Sequence, residues 1–200
     1  MEALEAIHTA GSMRWLRPDP VSDELIDEVI RAATCAASPG NVQPWEFVVV
    51  KDEATRREVA RIITSSVAGR RRRTADDRPD DPTQRRILEG VEYLLEHFAE
   101  TPALVFICGR NVYPASAPRI EMMYSAVFGA AQNLLVAARA VGLGAAYTTF
   151  HGTCEPELKH RLGIPEDVHI CVTVPLGWPA RRYGHLTRKP LALVVHRERW

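Results

Sequence analysis

The chain has 200 residues, 46% of them hydrophobic and 25% charged, which suits one globular domain with a sizeable core rather than a disordered or fibrous chain. Lys and Arg together number 25 and so do Asp and Glu, a balance that gives no reason to expect nucleic acid or an anionic membrane as partner. No apolar run approaches the ~20 residues of a membrane span, Met1-Glu2-Ala3-Leu4-Glu5 lacks signal-peptide character, and Cys35, Cys108, Cys154 and Cys171 form no C-x-x-C, so the expectation is buried thiols in the cytoplasm and no metal site.

Met1 to Thr9 predicts a short helix with Leu4 and Ile7 on one face. Ala10-Gly11-Ser12-Met13-Arg14-Trp15-Leu16-Arg17-Pro18 follows, where Arg14 taken alone is a surface cation. Ser22 suits the N-cap of a helix over Asp23 to Ala36, with Leu25, Ile26, Val29, Ile30 and Ala33 at helical spacing. The next stretch, Ala37-Ser38-Pro39-Gly40-Asn41-Val42-Gln43-Pro44-Trp45-Glu46-Phe47, has too many breakers between Pro39 and Pro44 for regular structure. It carries instead the Ser38 hydroxyl and the Asn41 and Gln43 amides, which donate and accept at once and suit the edge of a heterocycle. A capped loop with Trp45 in the core fits the same residues. Phe47 to Val50 predicts a strand buried on both faces, and Glu53 to Ile63 a helix.

Gly69 to Pro82 holds Arg70 to Arg73 and then Asp76, Asp77, Asp80 and Asp81, a block pattern that predicts a solvated, mobile segment. Arg85 to Glu100 predicts an amphipathic helix, Ala103 to Cys108 a buried strand, and Tyr113 to Pro118 a loop. Glu121 to Val141 is alanine-rich and apolar nearly all round, as in a helix enclosed by more than one small domain. Gly142-Leu143-Gly144 ends it, Ala145 to His151 predicts a short strand, and His151 is either a proton donor or structural. A helix from Pro156 closed by Gly163, a strand from His169 to Leu176, a turn at 177–180, a basic turn at 185–191 and a last strand from Leu193 to His196 complete the chain. There is no repeat and no linker, so 1–200 is one domain, with about 64–84 a mobile loop or lid. No P-loop, H-E-x-x-H, G-x-S-x-G or G-x-G-x-x-G is present.

Ser38-Pro39-Gly40-Asn41-Val42-Gln43-Pro44-Trp45-Glu46-Phe47 resembles the S-x-x-N-x-Q-P-W-x-F signature of the FMN-dependent nitroreductase family. Ser12-Met13-Arg14 resembles the end of that family's R-R-S-x-R-x-F, with Ala10 and Gly11 in place of the leading arginines. Gly142-Leu143-Gly144 and Arg188-Lys189-Pro190-Leu191 match its G-L-G and R-x-P-L in the same order. The resemblance implies an α+β nitroreductase-like fold: a central, mostly antiparallel sheet flanked by helices, in an intertwined homodimer with Glu121 to Val141 at its core. It implies FMN as cofactor, NADPH or NADH as reductant, and a small aromatic acceptor such as a nitroaromatic or quinone, reduced by ping-pong hydride transfer through the flavin N5. Around the flavin it implies Ser12, Met13, Arg14, Ser38, Pro39, Asn41, Gln43, Leu143, Gly144, Thr148 and Thr149, with Arg188 at the phosphate, Arg14 tuning the ring and no protein nucleophile. Segment 69–82 would form a lid. Ala10 and Gly11 keep open a flavin storage or sequestering protein without turnover; a specialised flavin dehydrogenase or dehalogenase is the other alternative.

Overall fold

In the computed structural model, which describes residues 1–71, 80–114 and 119–200, an antiparallel five-stranded sheet carries helices on both faces. Its strands are β1 (Leu16–Arg17), β2 (Trp45–Val50), β3 (Ala103–Arg110), β4 (Gly144–Ala145) and β5 (Val168–Pro179). They lie in the order β1-β5-β3-β2, with β4 paired to β5 off that path. The helices are α1 (Ala3–Thr9), α2 (Asp23–Ala33), α3 (Glu53–Arg71), α4 (Pro82–Glu96), α5 (Ile120–Ala140) and α6 (Glu155–Leu162). The α+β architecture implied by the resemblance is therefore the observed one.

Strand β3 shows why the layers form. It is buried from Ala103 to Gly109, and successive side chains point to opposite faces. Val105 and Ile107 join the core made with α2 and α5, through Ile26, Val29, Val127 and Leu134. Leu104, Phe106 and Cys108 join the opposite core, with Val59, Ile63, Leu94, Phe98 and Leu158. Helix ends follow sequence signals: Ser22 Oγ accepts the Leu25 N–H at 3.3 Å, Asp81 accepts from Thr83 N–H at 2.8 Å, and Gly163 ends α6 at φ 66°.

Several boundaries differ from the sequence expectation. Strand β2 is an edge strand rather than one buried on both faces, because among the described residues only β3 pairs with it; Glu46 and Val49 are exposed. The expected turn at 177–180 is instead the end of β5, which continues to Pro179 and pairs with β1. Gly177 permits this, since a Cβ there would meet the Pro102 ring at 2.9 Å. Ala145 to His151 forms only the short β4 and one bridge, Thr148 to Thr173, before a 3-10 turn at Phe150–Thr153. Leu193 to His196 is not a strand; a 3-10 turn covers Leu191–Leu193, and Leu191, Leu193, Val194 and Val195 lie exposed with no strand beside them. Helix α3 runs past Ile63 to Arg71, into the stretch expected to be a mobile loop, and α4 starts at Pro82. The rest of the proposed lid, 72–79, lies outside the described residues.

Much of the apolar surface of α5 is covered within the chain: Met123, Val127, Leu134 and Ala138 are fully buried. Its exposed line is Glu121, Ser125, Phe128 and Gln132, in which Phe128 is 43% exposed. Cys108, Cys154 and Cys171 are buried and Cys35 exposed. Burial pushes the Cys108 and Cys171 thiols up to about 12, so both stay protonated. Among the described residues no helix is long and apolar enough to cross a membrane.

Candidate active site

Two of the expected site segments are zipped together. The Met13 N–H donates to Ala145 O at 2.8 Å, and the Ser12 Oγ accepts the Tyr147 N–H at 3.1 Å. Gly144 makes that approach possible: a Cβ there would stand 2.6 Å from Leu16 Cδ2 and 2.9 Å from Met13 Cγ. Leu143 is fully buried beneath the junction. Thr148 is buried and donates both its N–H and its Oγ1 hydroxyl to Thr173 O, at 3.1 and 2.7 Å, whereas Thr149 is exposed. The His151 ring lies 3.0 Å from the Thr173 hydroxyl. Its burial, 6% exposed, lowers its pKa and fits the structural role better than that of a proton donor.

Arg14 projects from this junction into a cavity of about 340 Å³ whose wall also holds Trp15, Arg86, Arg181, Arg182 and Leu186. Desolvation lowers the Arg14 pKa, yet a guanidinium stays charged at any ordinary pH. Among the described residues Arg14 has no hydrogen-bond acceptor and no carboxylate. A half-buried cation left without a partner is costly unless something anionic or strongly dipolar meets it. Gly90 on α4 lets Arg14 and Trp15 pack there, since its Cβ would fall 2.8 Å from Trp15 Cη2 and 3.2 Å from Arg14 Cδ.

The polar motif at 38–43 is also well defined locally. Ser38 Oγ accepts the Gln43 N–H at 3.1 Å, and Gln43 Nε2 donates to Asn41 Oδ1 at 3.2 Å. Gly40, Asn41 and Gln43 all have positive φ, at 63°, 54° and 50°. Glycine and asparagine take this conformation readily; glutamine does so at a cost, and such strain collects at functional loops. Trp45 is only 8% exposed and belongs to the core.

Within one chain, however, the structure does not bring this motif to the first junction. Trp45 pairs with Gly109, which pairs with His169 at one end of β5. Gly144 pairs with Gly177 at the other end. At ~3.3 Å per residue, the eight or so intervening residues separate the two groups by roughly 25 Å. Arg188 is placed differently again: it is exposed and lines a second cavity, of about 370 Å³, with Ile7, His8 and Gln132. His185 and Leu186 border both cavities, so the two adjoin.

Sequence reasoning missed the segment between Pro179 and His185. The Arg181 guanidinium lies 3.9 Å over the Trp15 ring, and Tyr183 donates its hydroxyl to Leu143 O at 2.8 Å. Arg139 covers the Tyr183 ring at 4.5 Å and donates from Nε to Thr9 Oγ1 at 2.9 Å. Burial holds the Tyr183 phenol up at about 12, so it remains a donor. The one visible signal was the doublet Arg181-Arg182, with no acid between 180 and 197.

The Nitroreductase family model matches residues 8–178. This chain belongs to the nitroreductase family. A relative from Archaeoglobus fulgidus, provisionally named NADH dehydrogenase/NAD(P)H nitroreductase, is 25% identical over 100% of this chain and 99% of its own. Human iodotyrosine deiodinase 1 is 29% identical over 97% of this chain and 68% of its own. A nitroreductase from Desulfitobacterium hafniense, solved with bound FMN, superposes with a TM-score of 0.72 at 20% identity, covering 99% of this chain and 100% of that one. The family thus holds more than one chemistry on this fold.

Proposed function

We propose that the protein is an FMN-dependent NAD(P)H oxidoreductase that reduces nitroaromatic, quinone or similar electron-poor acceptors, acting as a homodimer. The observation that carries this is Arg14: a desolvated cation, without a partner among the described residues, on the wall of a cavity that the neighbouring motif residues Ser12 and Met13 help to line. The residues present fit a flavin only in part within one chain, since Ser38, Asn41 and Gln43 lie at the far end of the sheet from Ser12 and Gly144. Two chains related by a two-fold axis would bring the near group of each to the far group of the other at one ligand, which is what supports the dimer.

FMN, when bound, supplies the two-electron exchange that no side chain of this protein offers. Arg14 contributes fixed positive charge in a site of reduced water content, where it stabilises negative charge gained on reduction. Ser12 and Gly144 hold the two backbone segments in contact. Asn41 and Gln43, pre-set by their mutual hydrogen bond, offer amide edges to a heterocycle from the neighbouring chain. Trp15, Met13 and Leu186 exclude water and give the broad apolar surface on which substrate breadth rests. Visible absorption of the purified protein, followed by NAD(P)H oxidation with a quinone or nitroaromatic acceptor, tests this directly. A colourless protein that takes up no FMN would refute it.

Ala10 and Gly11 favour the second reading, a flavin-holding protein without turnover. A flavin spectrum with no acceptor-dependent NAD(P)H oxidation would select it.

A further inference from the structure

The cavity beside Arg14 is unusual in its charge. Arg14, Arg86, Arg181 and Arg182 line it, and no Asp or Glu does among the described residues. Arg86 and Arg182 have no hydrogen-bond or ion-pair partner among those residues either. Arg181 is already engaged over Trp15. With Arg14 assigned to the flavin and Arg188 to its phosphate, the remaining positive charge exceeds what the cofactor neutralises. Arg86 stands apart, because it comes from α4 and has the exposed apolar side chain of Ile87 next to it on the same wall. Trp15, Ile87 and Leu186 give a surface for a flat ring, and the guanidiniums give one for an anion.

We propose that this cavity selects aromatic acceptors that carry an acidic group, with Arg86 as the residue that meets the carboxylate. The proposal rests on the flavin site described above. It names the substrate class of that site: an electron-poor aromatic acid in preference to its neutral counterpart. A neutral acceptor gains the apolar contacts only. An acidic one gains a charge-assisted contact as well, and steering by the cationic rim, which salt weakens.

The test compares 4-nitrobenzoate with 4-nitrobenzamide, which share ring and nitro group and differ in charge. Binding of each to the flavin-loaded protein is followed by flavin absorbance, and turnover is measured separately. The expected result is roughly tenfold or tighter binding of the benzoate, with the ratio shrinking in high salt and collapsing towards one in Arg86→Gln. Equal affinity of the two compounds, or a ratio unchanged in Arg86→Gln, would overturn the proposal. So would an Arg86→Gln variant that loses affinity for NAD⁺ but keeps the benzoate preference, since the cluster would then serve the reductant. If the benzoate binds selectively but neither compound is turned over, the acid subsite stands and the reductase function falls. If both are turned over with equal kcat/KM and bind equally, the function stands and the acid subsite falls.

Discussion

At the scale of single residues, the charges that matter have surroundings fixed by their neighbours. Arg14→Gln removes the cation from the cavity wall and keeps the side chain's approximate size. The expected outcome is a lower flavin reduction potential and slower reduction by NAD(P)H, read by redox titration and stopped-flow; an unshifted midpoint would remove Arg14 from the site. Arg188→Ala tests a different function, because Arg188 is exposed and, among the described residues, bonded only to its neighbour's carbonyl, at Thr187 O. Loss of one charge-assisted phosphate contact is worth about 1.5–3 kcal/mol, or roughly ten- to a hundred-fold in FMN affinity. Unchanged affinity would place the phosphate elsewhere, with Arg181 and Arg182, on the wall of the adjoining Arg14 cavity, the next cations. His151 makes a pH prediction. Burial lowers its pKa below the ordinary 6.5, with Glu155 opposing, so the unfolded chain takes up a proton before the folded one does. Its effect on stability is absent well above pH 6.5, and stability falls as pH drops below that value. Denaturant midpoints between pH 5 and 8 should show the slope, and His151→Gln should flatten it; an equal slope in the variant would assign it to other groups.

Elements show where sequence signals sufficed and where they did not. The fold's helices were legible because their apolar spacing and caps agree, as in α2, where Ser22 caps and Ile26, Val29 and Ala33 are buried. The ends of strands were not, because pairing decides them and pairing is non-local. Leu193 to His196 has strand composition but no strand beside it in this chain, while Gly177 and Pro179 look like a turn and are strand, because β1 lies alongside. The apolar run from Phe47 to Val50 reads as doubly buried, although its position at the sheet edge leaves Val49 open. Motif spelling singled out Ser12, Arg14 and the 38–43 loop as candidate site residues. It could not show that they lie at opposite ends of the sheet, nor that Arg86 and Arg181, more than seventy positions from Arg14 along the chain, share its cavity. Close packing at Gly144 carries a prediction at this scale. Gly144→Ala forces a methyl against Leu16 and Met13, which costs about 1–3 kcal/mol and parts the two segments joined by the Met13–Ala145 and Ser12–Tyr147 hydrogen bonds. A lower denaturation midpoint together with weaker FMN binding is expected; a variant with unchanged stability would show the junction to be loose.

For the whole molecule, the separation of the two motif groups is the decisive feature. The two candidate motif groups of a single chain lie too far apart to meet on one flavin, and the chain also has exposed apolar groups: Leu4 and Ile7 on α1, Phe128 on α5, and Leu191 to Val195 near the C-terminus. Each is a modest patch, and together they are what a partner subunit would cover. Sharing of one flavin site between two copies can be read by mixing two defective variants. Arg14→Gln impairs one half-site and Gln43→Ala the other. In a heterodimer of the two, a shared arrangement places both defects in one site and leaves the second site with Arg14 and Gln43 intact. Mixed and re-equilibrated subunits should therefore regain NAD(P)H-dependent acceptor reduction well above either variant alone, with one wild-type-like site per heterodimer. Activity that stays at the level of the separate variants, in heterodimers shown to have formed, would contradict it.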